Sequence, residues 1–318
     1  MSKSIAIILP AYNEELTIVD TMKDFFSACP EAEIYVIDNA SKDRTNELAR
    51  KAYADLGCKG RLLEERRKGK SAAVRKAFME IDADIYVMAD ADMTYPASDL
   101  PALLAPVIEG RADIVCGNRH SSGVYKRENK RPLHDFGNNL VRRLINALFR
   151  GSLQDILTGY RIMSKRFVKN YPILADGFEL ETEMSIHALD KGYSIIELPT
   201  AYRDRPEGSF SKLNTITDGI LVLKTIFSIF VKYRPMLFFT ICALFFAVLA
   251  LTAGSFPVIE YIQTSKISRF PLAILASGLS ILSMLSFAVA VILHSLAASQ
   301  RFNHALALLH WHDITREK

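Results

Sequence analysis

The sequence is most informative where residues are missing. Four cysteines stand in 318 residues, Cys29, Cys58, Cys116 and Cys242, and their spacing suits neither a disulfide framework nor a zinc site, which fits a reducing compartment. An apolar stretch near the start runs only from Ile5 to Pro10, too short for a signal-peptide core, so the segment after it is expected to stay unexported. A net charge of +4 is too small to imply nucleic-acid binding. Internal repeats and low-complexity tracts are absent. Charge itself is missing from two long stretches, Pro235 to Ile259 and Phe270 to Gln300, where His294 is the one titratable group. Each exceeds the roughly 20 apolar residues that span a hydrocarbon core, and soluble core helices rarely run so long uncharged, so two transmembrane helices are expected.

The charges that are present are arranged around those runs. Lys224, Lys232 and Arg234 precede the first and Arg301, Arg316 and Lys318 follow the second, whereas the connecting loop has only Lys266 and Arg269 as cations. This bias places both ends on the cytoplasmic side. A second basic concentration lies between Gly117 and Arg150, eight Lys or Arg against Glu128 and Asp135. Within it Leu140, Val141, Leu144, Ile145, Leu148 and Phe149 recur with helical period, so residues 132–150 read either as an amphipathic helix in the headgroup layer or as one packed on the protein. Residues 213–234 are apolar around most of a helical circumference and read as a second interfacial segment.

The first half alternates between two periods. Ser4 to Pro10, Glu33 to Asp38, Gly60 to Glu64, Ile85 to Ala89 and Ile114 to Gly117 read as strands; Glu14 to Ala28, Asp43 to Leu56, Gly69 to Met79 and Ser98 to Glu109 read as helices. The fold class is therefore α/β, a mostly parallel Rossmann-like sheet covered on both faces. Ligands of such sheets bind beyond the carboxyl ends of the strands. Three polar clusters fall there: Pro10-Ala11-Tyr12-Asn13-Glu14, Asp38 to Thr45, and Asp90-Ala91-Asp92. Paired carboxylates two residues apart can hold a hard divalent cation and the diphosphate oxygens it bridges. Such triplets also occur in ordinary turns, and Asn13, Ser41 and Asp43 also suit helix caps. Gly69-Lys70-Ser71 is not a phosphate loop, because Glu64 stands where that motif needs glycine. The run Arg66 to Lys70 instead reads as a positive loop at a helix N-terminus, able to face a diphosphate.

Taken in order, these segments resemble family 2 glycosyltransferases of the GT-A fold, in the polyprenyl-phosphate branch. The resemblance covers nearly the whole chain. It also runs through Lys68-Gly69-Lys70, Gly117-Asn118-Arg119, Asp155 with Thr158-Gly159-Tyr160-Arg161, Phe178 to Glu183, and Arg205 to Lys212. It implies a catalytic domain over 1–212, a two-helix membrane hairpin over 235–300 and a cytoplasmic tail over 301–318, in a bacterial-type inner membrane. It further implies that Pro10, Tyr12, Glu14 and Asp38 contact the nucleoside, that Lys70 and Asp90 sit near its phosphates, and that Asp92 and Asp90 bind Mg2+ or Mn2+. Arg205, Ser211 and Lys212 would close over the diphosphate. Many relatives carry Gln two residues after the second Asp; Thr94 stands here, so the third protein ligand would be its hydroxyl, or a water.

By the same resemblance Arg119 and Arg131 hold a lipid phosphate; Asp155 is read as orienting the acceptor or a sugar hydroxyl, or as a base. The implied reaction is inverting transfer of a hexose from a nucleotide-diphosphate sugar, a UDP-sugar by the two-span layout, to polyprenyl phosphate. A GDP-mannose-dependent polyprenyl-phosphate mannose synthase is the nearest alternative, and a non-catalytic nucleotide-sugar sensor a more distant one that would leave Arg119 and Arg131 unexplained. A processive polysaccharide synthase is disfavoured by the lack of Gln-x-x-Arg-Trp and by too few spans. The expected partners are the nucleotide sugar, the polyprenyl lipid and the membrane, without nucleic acid; a short-looped hairpin is also compatible with a homo-oligomer.

Overall fold

The computed structural model describes residues 3–122, 132–173, 180–203, 227–228, 231, 233–266 and 268–316. The chain divides into two compact units, Met1–Val222 and Leu223–Lys318.

In the first unit strands and helices alternate as β1 (Ile5–Ala11), α1 (Ile18–Ala28), β2 (Glu33–Asp38), α2 (Thr45–Leu56), β3 (Gly60–Glu64), α3 (Lys70–Glu80), β4 (Ile85–Met88), α4 (Leu100–Ile108) and β5 (Ile114–Asn118). After them come α5 (Pro132–Phe149), β6 (Arg161–Ser164), α6 (Lys165–Lys169), α7 (Leu180–Lys191) and β7 (Ile195–Pro199). The seven strands form one sheet in the order β3-β2-β1-β4-β6-β5-β7. Strands β1 to β4 run parallel to one another, and β7 runs parallel to β5. Strand β6 is antiparallel to both its neighbours, with Arg161 opposite Met88 on one side and Cys116 on the other.

Side-chain alternation along β1 builds the two layers. Ile5, Ile7, Leu9 and Ala11 join Ile18, Met22 and Phe25 of α1, Ala49 and Ala52 of α2, and Leu100, Leu103, Leu104 and Val107 of α4 in one core. The opposite residues, Ala6 and Ile8, are equally buried but lie outside that core, on the face that α3 covers with Ala73, Val74 and Ala77. Helix α1 begins four residues later than its periodicity suggests. The Thr17 and Ile18 amides both donate to the Glu14 carbonyl, so residues 15–17 form a tight turn before the helix starts. Over the described side chains of α5, Val141, Ile145 and Phe149 are buried, while Leu140 and Arg143 face outward, as does Arg150 just after the helix.

The second unit contains α8 (Pro235–Thr264) and α9 (Phe270–Arg316), both long and apolar enough to cross a membrane. Their most apolar windows are only 11% buried, unlike core helices of a soluble protein, so their outer surface is lipid-compatible rather than packed. Small residues line their mutual contact, with Ala243, Ala250, Ala276 and Ala290 buried and the Ser283 hydroxyl donating to the Ala243 carbonyl at 2.8 Å.

Candidate active site at the carboxyl edge of the sheet

Strand β1 has β2 on one side and β4 on the other, with successive elements leaving in opposite directions, so a crevice opens beyond their carboxyl ends. The loops after β1 and β2 are stitched together there. The Asn13 amide donates to Ser41 Oγ at 3.0 Å and the Lys42 amide donates back to Asn13 Oδ1 at 2.8 Å. The Glu14 amide donates to Thr45 Oγ1 at 2.8 Å, and Glu15 is joined to Asp43 and Arg44. Asn13 and Ala40 sit at φ of 54° and 57°, left-handed backbone that these cross-bonds hold in place. Asn13 and Ser41 therefore bridge loops rather than cap helices, whereas Asp43 Oδ1 accepts from both the amide and the hydroxyl of Thr45 at the start of α2. Asp38 is 6% exposed and accepts from the Ser41 amide and from Asn46 Nδ2.

Asn39 extends this lining to the basic loop. Its Nδ2 donates to the Arg67 carbonyl at 2.6 Å and its Oδ1 accepts from the Gly69 amide at 2.7 Å, so the loop before α3 is pinned to the end of β2. Arg67 pairs with Glu65, whose carboxyl that hydrogen bond holds down to about 2. Lys70, the first residue of α3, bridges two carboxylates: it contacts Asp90 Oδ1, and Glu181 Oε1 at 2.6 Å. Burial alone would drive the Lys70 ammonium toward neutrality, but Asp90 and Glu181 together hold its pKa above the usual lysine range.

Asp90 and Asp92 follow β4. The loop that carries them is fixed from α1, because Thr17 and Thr21 both donate to the Ala91 carbonyl, at 2.8 and 3.2 Å. Asp92 is 2% exposed, and its Oδ1 accepts from the Thr94 hydroxyl at 2.5 Å and the Thr94 amide at 3.2 Å. Gly159 presses on Asp90 from the other side: a Cβ there would lie 2.6 Å from Asp90 Oδ2. Tyr95 Oη accepts from the Gly159 amide at 2.9 Å and keeps that backbone in place.

A second charged cluster lies beside the first. Arg119 follows β5, Asp155 precedes β6, and the guanidinium donates two parallel hydrogen bonds to the carboxylate, Nε to Oδ2 and Nη2 to Oδ1, both at 2.8 Å. The Arg119 amide also donates to Asp155 Oδ2, and the Arg119 guanidinium lies 5.6 Å from the Tyr202 ring centroid. Burial pushes the Asp155 carboxyl upward, but Arg119 outweighs it and holds the pKa below the ordinary value. The loop around Asp155 is tied down by Glu197, which accepts from the Gln154 and Asp155 amides, and by Asn146 of α5, which exchanges two hydrogen bonds with Leu153.

A family model for glycosyl transferase family 2 matches residues 6–171, more than half of the chain. The chain belongs to this family. It is 32% identical over 240 residues to glycosyltransferase AglJ of Haloferax volcanii, covering 74% of this chain and 75% of that protein. It is 30% identical over 231 residues to the dolichyl-phosphate hexose transferase of the same organism, covering 72% of this chain and 95% of that one. Among solved structures, glucosyl-3-phosphoglycerate synthase from Mycobacterium tuberculosis, in complex with Mn2+, UDP and phosphoglyceric acid, aligns with a TM-score of 0.53 at 23% identity, over 71% of this chain and 78% of that one. The sheet is that of a GT-A fold, and the chain is a glycosyltransferase.

Within this family 2 enzyme, Asp38 ends β2 and Lys70 begins α3, Tyr12, Glu14, Asp90, Asp92, Thr94, Arg119 and Asp155 lie on the loops at the same edge of the sheet, and Pro10 is the penultimate residue of β1. Arg131, Arg205, Ser211 and Lys212 lie outside the described residues. Among the described residues no group of three or more His, Cys, Asp or Glu forms a metal cage. Two neighbouring carboxylates with hard oxygen donors suit a Mg2+ or Mn2+ ion that draws its other ligands from phosphate and water, so this donor set fits such an ion. Glu181, Gly159 and Asn39 hold the site together without having been singled out for it in the sequence. The acidic run Phe178 to Glu183 signals that a carboxylate matters there, but not which one meets Lys70.

Proposed function

We propose that this enzyme transfers a hexose from a nucleotide-diphosphate sugar to polyprenyl phosphate at the cytoplasmic face of a membrane, inverting the anomeric centre. The observation that carries the donor half is the constellation of Asp90 and Asp92 beyond β4 and Lys70 at the start of α3, at the same edge of the sheet as the stitched loops of β1 and β2. A divalent cation on Asp92 and Asp90 would neutralise the charge that develops on the departing nucleotide. Lys70 would add a positive charge on the same side, and Tyr12, Glu14 and Asp38 would meet the nucleoside. The presence of Mn2+ and UDP in a fold relative supports that donor class.

The acceptor half draws support from the dolichyl-phosphate hexose transferase likeness and from two helices able to cross a membrane. A phosphate monoester has a second pKa near 6 and is already a nucleophile at neutral pH, so no base is required. Asp155 is a poor proton acceptor in any case, since Arg119 holds its carboxyl low. Its role is to fix Arg119, which with Arg131 would guide the lipid phosphate toward the anomeric carbon. The charges flanking α8 and α9 support a cytoplasmic site.

Purified protein should release nucleotide from one of a panel of UDP- and GDP-sugars only when undecaprenyl phosphate and a divalent cation are both present. That panel also decides between UDP-hexose and GDP-mannose. Asp92→Asn should reduce release to background with an unchanged thermal transition. Full activity in that variant or with excess chelator would remove the cation from the mechanism, and lipid-independent turnover would remove the acceptor.

A further inference from the structure

We propose that Arg161 is a positioning residue: its buried guanidinium fixes the span between the Arg119–Asp155 pair and the cluster of Lys70, Asp90 and Glu181, and with it the alignment of acceptor and donor. This rests on the reading of the two clusters given above. One short segment touches both. At its start Asp155 takes the Arg119 fork, and at its end Gly159 lies so close to Asp90 that a Cβ there would fall 2.6 Å from Oδ2. Four peptide steps separate these two residues, so the segment holds them at most about 14 Å apart.

Arg161 grips that segment from inside the protein. Its Nε donates to the Thr158 carbonyl at 3.0 Å and its Nη2 to the Ile156 carbonyl at 2.7 Å. Nη2 also donates to Ser185 Oγ on α7 at 3.0 Å, and Ser185 in turn donates to the Glu181 carbonyl at 2.9 Å. One fork therefore meets the chain beside Asp155, the chain beside Gly159 and the helix that carries Glu181. Arg161 is fully buried at the start of β6, where Met88 of β4 and Cys116 of β5 flank its backbone. Among the described residues its hydrogen bonds reach two carbonyls and a hydroxyl but no carboxylate, and Nη1 has no hydrogen-bond partner. A buried cation met only by dipoles is a costly way to stabilise a core, and an apolar side chain of similar length would fill the same space. What the guanidinium supplies is a planar set of donors at fixed angles, which holds all three acceptors in one relation.

Steady-state kinetics with undecaprenyl phosphate, together with Mn2+-dependent UDP binding and circular dichroism, test this on Arg161→Met, Arg161→Lys and Ser185→Ala. Per folded molecule, Arg161→Met should lower kcat about 100-fold, the cost of misplacing reacting groups by about 1 Å, while UDP affinity and KM for the lipid stay within about twofold. Arg161→Lys should lower kcat about tenfold, because an ammonium still reaches one carbonyl but lacks the fork. Ser185→Ala leaves the guanidinium and its two carbonyls in place and should lower kcat a few-fold in the same pattern; it carries the test if neither Arg161 variant folds. Unchanged kcat per folded molecule would make Arg161 a purely structural residue, and a change confined to UDP affinity or to lipid KM would show that it serves one cluster alone. Either result overturns the proposal. Absence of lipid-dependent turnover in wild type would instead overturn the acceptor reading, and this proposal with it.

Discussion

Two charged clusters share one edge of the sheet and are built on opposite plans. Arg119 and Asp155 are 8% and 3% exposed and match fork to carboxylate, so the pair is neutral and closed. Lys70, Asp90 and Glu181 combine one cation with two anions, and Asp90 is about a third exposed. A matched buried pair adds little net stability because desolvation offsets its attraction, yet losing one partner is severe. Such a pair is suited to fixing a position. A partly open cluster in which one ammonium is shared between two carboxylates is suited instead to exchanging partners.

The comparison is sharpest at Asp155. Asp155→Asn should destabilise the catalytic unit by about 3–5 kcal/mol in urea unfolding, because a buried guanidinium is left without its counter-charge. Glu181→Gln should cost far less, since Lys70 keeps Asp90; equal losses would erase the distinction. Acid adds a second view. The Asp155 carboxyl titrates below its ordinary value of 3.8 when folded, so its contribution is complete above that value and is lost as pH falls toward the lower folded value. The stability gap between wild type and Asp155→Asn should hold steady above about pH 5 and close on acidification below about pH 4.

Gly159→Ala comes next. Its methyl would fall 2.6 Å from Asp90 Oδ2, a clash costing about 1–3 kcal/mol, and Mn2+ binding should weaken along with stability as Asp90 is pushed aside. A stability loss with intact Mn2+ binding would show that the open cluster does not depend on this wall. Thr94→Val should have the smallest effect, about 1 kcal/mol, because the Thr94 amide still reaches Asp92 after the hydroxyl is removed. Calorimetric unfolding of both variants at neutral pH checks the order.

Much of the fold could be read from residue pattern because half of it is built from local repetition. Strands β2 and β3 have the bounds expected for them, β4 and β5 differ by a residue at their ends, and β1 is shifted by one residue at both ends. Strands β6 and β7 give no such signal. β6 is four residues long and begins with Arg161, fully buried, which donates to the carbonyls of Ile156 and Thr158 and to Ser185 Oγ. β7 contains Glu197 and ends on Pro199. A buried arginine in a short antiparallel strand is a tertiary fact, and local periodicity does not carry it. The site divides in the same way. Asp90 and Asp92 announce themselves at a strand end, and Arg119 and Asp155 each stand out in a motif. That Arg119 meets Asp155, and that Lys70 meets Glu181 from another helix, depends on chain segments brought together only by the fold.

The insertion of β6 between β4 and β5 also bears on how such enzymes can be recombined. Exchanging residues 5–112 with a relative would transplant the stitched loops together with Lys70 and Asp90, but leave Gly159 and Glu181 behind in the recipient. A crossover between β5 and β6 would likewise separate Arg119 from Asp155. Chimaeras meant to alter donor choice should therefore be cut so that these pairs travel together, or be confined to the loops after β1 and β2, whose hydrogen bonds are largely to each other.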